Sequence, residues 1–374
     1  MVVITGIGEE RKFIIMEIIK EHTKSLCPEC YKKIDARVVA DGNRVIMIKT
    51  CQTHGTFRGL VEKDVNFYKK IISARKDDSN FNRCLMINIT HACNLKCHLC
   101  YLPQRDTRKD PSMEQIKKAI TGYPGPAISL SGGEPTMREE LPDIVNYISK
   151  AGKIPIVVTN GVKLSDYDYL KKLKDAGLLI INFSCNGFTE DVFISIENAP
   201  LLDIKMKALS NIKKLGIKTQ FSFTMSEGIN DDQFGEAIRY ILNNEDFIYQ
   251  LRARVSAPIG LSLGEKTFYL SDFLNILAKE TSTTRDIMVD YWLTYSPFPN
   301  PYVFTMNYHH FMSMCNREKV TPGPGGDIVI FSWPDRYNID YEEIKALDLD
   351  ILNKRGQFLN YWDGIIRNER YNFL

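Results

Sequence analysis

Between residues 81 and 258 the chain alternates two textures. Short apolar runs fall at residues 85–89, 127–131, 154–159, 179–184, 218–225 and 248–257, and each reads as a buried strand. Between them, apolar residues recur at helical spacing over 113–123, 139–151, 166–176, 204–215 and 231–243. Ser112 is placed to cap the first of these helices, and Gly177 and Gly216 follow two others. Strand and helix alternating this regularly predict a parallel sheet with right-handed crossovers. In such a sheet the loops leaving the C-terminal ends of the strands form the functional edge.

Outside this stretch the pattern changes. Residues 1–21 are ambiguous between helix and strand. Residues 34–40 and 45–49 read as two strands joined at Asp41-Gly42, a dipeptide suited to the positive φ of a tight hairpin. Ser271 is the expected N-cap of a helix over 272–279. An aromatic-rich stretch follows, from Tyr291-Trp292-Leu293 through Tyr308-His309-His310-Phe311 to Cys315. Residues 322–326 read as a loop, 329–333 as a strand, and 341–368 as a charged helical segment with a solvated face.

Composition narrows the class without naming a function. A chain of 374 residues with 44% hydrophobic and 25% charged residues has room for one large globular domain and something smaller. A net charge of +2 gives no bulk argument for nucleic acid or an anionic membrane. No signal peptide is recognisable, and the apolar run Ile14-Ile15-Met16-Glu17-Ile18-Ile19 is too short and too charged to span a bilayer. Most of the nine cysteines sit at ligand-like spacings, which suits metal binding in a reducing cytoplasm better than disulfides.

Two cysteine groups carry the chemistry. In the first, Cys27-Pro28-Glu29-Cys30 precedes the predicted hairpin and Cys51-Gln52-Thr53-His54-Gly55 follows it. A hairpin brings its outer ends together, so Cys27, Cys30, Cys51 and His54 should converge on one tetrahedral site for zinc or a mononuclear iron. Four protein ligands leave no open position, so the expected role is structural, with electron relay as the alternative if the metal is iron. In the second, Cys93, Cys97 and Cys100 follow the strand at 85–89 in the spacing CxxxCxxC, with Tyr101 next. Three thiolates suit an iron–sulfur cubane with one iron left open. A zinc site completed by His98 or His91 is the competing reading.

Further motifs fall on the same edge. The second central strand runs into Ser131-Gly132-Gly133-Glu134-Pro135, where paired glycines permit close backbone approach and a carboxylate stands ready for an ammonium group. The third ends at Thr159-Asn160-Gly161, the fourth at Ser184-Cys185-Asn186-Gly187, and the fifth carries Ser222 and Thr224. The sixth carries Arg252 and Arg254, which alternation puts on one face.

CxxxCxxC followed one β/α unit later by GGEP resembles the radical S-adenosylmethionine (radical SAM) superfamily, in particular its SPASM and molybdenum-cofactor-synthesis branch. The N-terminal metal hairpin resembles that of tetraether-lipid-synthase-like radical SAM proteins, which are longer and carry an additional cysteine-rich block. The resemblance implies an α/β fold, a partial (β/α)6 TIM barrel. It divides the chain into an N-terminal metal-binding region over 1–80, a radical SAM partial barrel over 81–262 and a mixed, substrate-side C-terminal extension over 263–374.

It further implies that Cys93, Cys97 and Cys100 hold a [4Fe–4S] cluster and that its open iron takes SAM. An external donor such as flavodoxin or ferredoxin would supply the electron. Reductive cleavage would then give a 5′-deoxyadenosyl radical that abstracts hydrogen from an unactivated C–H bond. Tyr101 and Ile259 would flank the adenine. Gly132, Gly133, Glu134 and Pro135 would bind the methionine amino group, and Thr159 and Asn160 the ribose and methionine region. Ser184, Ser222, Thr224, Arg252 and Arg254 would face the ribose or carboxylate. Asn186 stands where the family often has aspartate, which removes a charge.

The aromatic C-terminal stretch favours a lipid-like or other bulky substrate, with Cys315 or Tyr308 as a hydrogen donor. A peptide-modifying enzyme is the alternative, and a non-catalytic zinc or iron–sulfur adaptor or sensor is the alternative of another class. Nothing resembles a cobalamin domain, and no auxiliary cluster has its ligands. Cys84 is expected to be buried at the start of a strand, and Cys185 to lie near the active edge with an open role.

Overall fold

A computed structural model describes residues 2–5, 14–27, 29–30, 32–74, 84–100, 110–125, 127–244, 246–255, 269–280, 284–295, 303–307 and 327–332. The ambiguous N-terminus is β-structure: β1 (Val2–Thr5) and β2 (Ile14–Leu26) join β3 (Lys33–Asp41), β4 (Arg44–Cys51) and β5 (Gly55–Glu62) in an antiparallel sheet in sequence order. The expected hairpin is β3–β4; Asp41 pairs with Arg44, and Gly42 takes the required positive φ of 61°. Ala36, Val38, Ala40, Val45 and Met47 send this sheet into the main core. Helix α1 (Val65–Ala74) follows it and buries Phe67, Tyr68 and Ile71 in the same core.

The six expected central strands are β6 (Cys84–Thr90), β7 (Ala127–Gly132), β8 (Ile154–Thr159), β9 (Ile180–Ser184), β10 (Lys218–Met225) and β11 (Ile248–Val255). They form one all-parallel sheet in sequential order, the α/β arrangement that the alternation of strand and helix predicts. The intervening helices are α2 (Met113–Gly122), α3 (Leu141–Lys150), α4 (Tyr167–Asp175), α5 (Glu190–Glu197), α6 (Leu202–Lys214) and α7 (Phe234–Leu242). Ser112 caps α2 with a full capping box, its hydroxyl accepting from Gln115 N while the Gln115 side chain accepts from Ser112 N.

Helix α5 was not anticipated. Its signals are local: Glu190 and Asp191 lie in its first turn, where the helix dipole favours anions, and Asn198 closes it at φ 55°. Beyond the sheet, α8 (Leu270–Glu280) begins earlier than expected. Tyr269 O accepts from Phe273 N, so Ser271 lies inside the first turn and is not the cap. Its hydroxyl instead donates to Glu62 Oε1 at 2.5 Å, and its N–H meets Glu62 Oε2 at 3.3 Å. Residues 285–295, part of which the sequence offered only as an aromatic stretch, form α9 (Arg285–Tyr295). Asp64–Arg285 (2.6 Å) and Lys63–Asp272 (2.7 Å) complete a polar seam between the end of the ribbon and α8–α9. A last pair, β12 (Val303–Asn307) and β13 (Asp327–Ser332), is antiparallel and includes most of the strand expected at 329–333. Residues 341–368 lie outside the described residues.

Candidate functional site

The ribbon ligands meet as the hairpin requires. Cys27 follows β2 and Cys51 closes β4, and both knuckles lie at the same end of the sheet. Cys27 Sγ stands 3.4 Å from His54 Nδ1, Cys51 Sγ 3.5 Å from the same nitrogen, and Cys30 Sγ 4.0 Å from Cys51 Sγ. A tetrahedron with bonds of about 2.3 Å to sulfur and 2.0–2.1 Å to nitrogen has edges of about 3.8 Å (S···S) and about 3.6 Å (S···N). The quartet therefore fits one ion, with His54 coordinating through Nδ1. The N–H groups of Thr53 and His54 draw the Cys51 thiol down to about 6, which favours the ligating thiolate.

The second group is built differently. Among the described residues only the ribbon quartet gathers its ligand atoms within 4.8 Å; Cys93, Cys97 and Cys100 form no such set. That separation disfavours a single zinc ion completed by His91 or His98, and it suits a cubane, which spreads its thiolates over separate irons. All three are free cysteines. Burial pushes the Cys97 thiol up to about 12, with the Glu197, Cys100 and Cys93 charges adding to it. A bound cationic core would relieve that penalty.

The loop carrying these thiols is pinned at both ends. Asp110 accepts from Thr90 Oγ1 and from His91 N, both at 2.7 Å. Buried Arg138 donates from Nη1 to Ile89 O (2.6 Å) and to Pro111 O (2.8 Å). Neither Asp110 nor Arg138 stood out in the sequence.

The paired glycines work on the protein's own backbone. Gly133 N donates to Thr90 O and Glu134 N to Ala92 O, both at 2.8 Å. A Cβ on Gly133 would stand 2.3 Å from Ala92 O, and Gly132 has φ 140° with Thr90 O 2.2 Å from any Cβ. We expect Gly133→Ala to cost about 1–3 kcal/mol and to lower iron incorporation, measured by denaturation and iron analysis of reconstituted protein. Wild-type iron content would show that this approach is not needed.

Glu134 is fully buried and ties three motifs together. Its Oε1 accepts from Thr136 N, Thr136 Oγ1 and Thr159 Oγ1, and its Oε2 from Asn160 N at 2.7 Å. Desolvation pushes its carboxyl up while these donors pull it down. Asn160 Nδ2 in turn donates to Asn94 Oδ1 at 2.7 Å, which closes a chain from the GGEP turn through the end of β8 to the cysteine loop. Pro135 is buried at the start of the short 3-10 turn Pro135–Met137.

Under the end of β9 lies an ion pair that the sequence did not reveal. Lys205 has no exposed side-chain surface. Its Nζ stands 2.8 Å from Glu197 Oε2 and 3.1 Å from Oε1, the second contact having hydrogen-bond geometry, and it donates to Ser184 O at 2.8 Å. Asn186 Nδ2 donates to Glu197 Oε1 (3.0 Å), and Asn186 Oδ1 accepts from Thr224 N (2.8 Å). An aspartate at 186 would set a carboxylate against Glu197; the amide both donates and accepts, which explains the departure from the family pattern. His98 N donates to Ile196 O at 2.8 Å, so the cysteine loop rests on the end of α5.

The remaining expected residues divide. Ser184, Ser222 and Thr224 lie at the C-terminal ends of β9 and β10, with Arg252 opposite Ser222 and Arg254 opposite Thr224 in register. Cys185 belongs to the core and not to the active edge: its Sγ donates to Gly187 O, and burial pushes its thiol up to about 12. Tyr101, Ile259, Tyr308 and Cys315 lie outside the described residues, as do the side chains of Cys84 and Arg254.

The chain carries a radical SAM superfamily domain, matched over residues 87–241, the stretch that holds the three-cysteine loop, the glycine–glutamate turn and most of the parallel sheet. Residues 19–63 match the HMPTM N-terminal zinc ribbon domain. The chain is 31% identical over 300 residues to 7,8-dihydro-6-hydroxymethylpterin dimethyltransferase of Methanocaldococcus jannaschii, covering 70% of this chain and 59% of that protein. It is 36% identical over 147 residues to Fe-coproporphyrin III synthase of Methanosarcina barkeri, covering 37% of this chain and 36% of that one. Among solved structures, Streptococcus suis SuiB bound to precursor peptide SuiA aligns with TM-score 0.47 and 14% identity, over 74% of this chain and 70% of that one. The chain thus spans about three fifths or less of these two curated relatives. The superfamily domain implies a [4Fe–4S] cluster and SAM, and the ribbon quartet fits zinc. No helix among the described residues is long and apolar enough to cross a membrane.

Proposed function

We propose that this chain is a radical SAM enzyme whose Cys93, Cys97 and Cys100 hold the [4Fe–4S] cluster. When bound, that cluster supplies the electron for reductive cleavage of SAM, and so a 5′-deoxyadenosyl radical that removes hydrogen from an unactivated C–H bond of the substrate. The protein's part is placement and exclusion of water. The Glu134–Thr159–Asn160–Asn94 chain fixes the cysteine loop against the GGEP turn, and this single arrangement carries the reading. Glu134 spends its carboxylate on that bracket, so the SAM ammonium is assigned to the turn as a whole. Ser184, Ser222, Thr224 and Arg252 are assigned to the ribose and carboxylate side. Flavodoxin or ferredoxin is the proposed donor, and the three-part division at 1–80, 81–262 and 263–374 belongs to the same reading.

Anaerobic reconstitution with iron and sulfide, followed by dithionite and SAM, should yield 5′-deoxyadenosine, and Cys97→Ala should abolish it. A fully loaded wild-type cluster that yields none would support the non-catalytic sensor instead. The lipid-like preference rests on an aromatic stretch of which Phe298, Tyr302, Tyr308 and Phe311 lie outside the described residues, and we do not retain it. The methanogen relative acts, by its name, on a reduced pterin, and its match to this chain is longer than the central domain alone. A reduced pterin is therefore the first substrate to offer.

A further inference from the structure

The two faces of the central sheet differ in kind. On one, Phe183, Phe221 and Phe223 pack toward the helices: Phe223 meets Phe234 of α7 edge-on, Phe221 lies 6.1 Å from Tyr240 of α7, and Lys205 of α6 lies over Phe183. Alternation sends Asn182, Ser184, Gln220, Ser222 and Thr224 to the other face. Asn88, Ser129 and Ser131 of β6 and β7 share it, because Leu85, Ile87, Ile128 and Leu130 occupy the core positions between them. A closed barrel of this type fills its interior with branched apolar side chains. Here five of the six strands present polar residues inward, β11 contributing Arg252 opposite Ser222. An acyl chain against this wall would strip water from hydroxyls and amides and give nothing back.

Within the wall, Asn182 differs from its neighbours. It is 3% exposed, and its Nδ2 donates to Gln220 Oε1 at 2.6 Å across the β9–β10 register. Its Oδ1 is buried with no hydrogen-bond partner among the described residues. A buried amide acceptor left open calls for a ligand or a functional explanation. It lies two residues, about 6.6 Å, deeper along β9 than Ser184. That depth separates it from the edge assigned to SAM and keeps it within one ring's length of it.

We infer that Asn182 and Gln220 form the specificity wall for a substrate carrying an aminopyrimidinone edge. Such an edge offers ring and exocyclic N–H donors beside a carbonyl acceptor. Asn182 Oδ1 is the matching acceptor, and the second N–H of the Asn182 amide, whose first meets Gln220 Oε1, is the matching donor. The assignment rests on the radical SAM reading, since it places the substrate directly beneath the SAM edge. Reduced pterins and guanine nucleotides both present this edge.

The test measures equilibrium binding to the anaerobically reconstituted full chain, with four probes. They are 7,8-dihydro-6-hydroxymethylpterin against the lumazine that replaces its amino group by oxygen, and GTP against ATP. One pair should show discrimination of at least about tenfold for the aminopyrimidinone member, and which pair does so identifies the source. Asn182→Leu should erase that discrimination while retaining the wild-type circular dichroism spectrum and iron content. No discrimination in either wild-type pair overturns the inference, as does discrimination retained in a folded Asn182→Leu. Should Asn182→Leu misfold, Gln220→Leu and the wild-type probe pairs still decide. 5′-Deoxyadenosine formation by the wild type is scored separately, so failure of the radical SAM reading is distinguishable from failure of this assignment.

Discussion

Lys205→Met is expected to destabilise the chain by about 3–5 kcal/mol in a denaturant titration, because it strands the Glu197 carboxylate in a buried site. Lys205 is wholly buried and Glu197 only 3% exposed. The ammonium is held by Glu197 and by Ser184 O, and its charge also lies over the rings of Phe183 and Phe193, at 5.8 and 5.5 Å. The double variant Lys205→Met, Glu197→Gln should recover most of the loss, since it removes both charges and leaves Asn186 an amide oxygen to donate to. Such recovery would separate a stranded charge from lost packing. If Lys205→Met alone is as stable as wild type, water reaches the Glu197 carboxylate.

The second large effect concerns the ribbon. Cys51→Ser, or prolonged chelation, should unfold residues 27–55 and expose them to protease, since in a structural zinc site the binding free energy, of about 10–16 kcal/mol in small ribbons, is folding free energy. The consequence should reach further than the ribbon. Glu62 engages the first turn of α8, and Asp64 pairs with Arg285 of α9, so loss of the metal should also raise cleavage within residues 270–295. Metal analysis should return one ion per chain beyond the cluster irons, lost in Cys51→Ser. Unchanged protease resistance in metal-free protein would mean that the five-stranded sheet supports itself.

What the sequence could and could not disclose follows from the range of the interactions. The hairpin, the β/α alternation, the Ser112 cap and the three-cysteine loop rest on near neighbours in the chain, and the ribbon quartet, up to 27 residues apart, is joined by a hairpin that spacing displays. Asn186 could be seen only as a missing charge, because its explanation, Glu197, stands on a helix the pattern did not reveal. Glu134 reads in the sequence as a carboxylate awaiting an ammonium, while the structure surrounds it with donors from the last residue of β8 and the residue after it, 25 and 26 residues away. Arg138 clamps a carbonyl 49 residues earlier, a relation no local pattern contains. The polar inner wall was visible in part as Ser222, Thr224 and the arginines. Its depth, and the unpaired oxygen of Asn182, required the strand register.

The cysteine loop and the ribbon are held closed by different means. The segment between Thr90 and Asp110 is closed by Asp110 and Arg138, whose partners are all protein atoms. Closing a loop of about twenty residues costs on the order of 2.7 kcal/mol plus a constant, and here folding itself meets that cost. The loop is thus closed by protein contacts alone, and Cys93 within it is exposed. In the ribbon the four side chains that gather at the ion site come from the two outer ends of the β3–β4 hairpin, so an ion there ties those ends together. The expected consequence is an order of uptake, the ribbon ion with chain folding and the cluster irons after it.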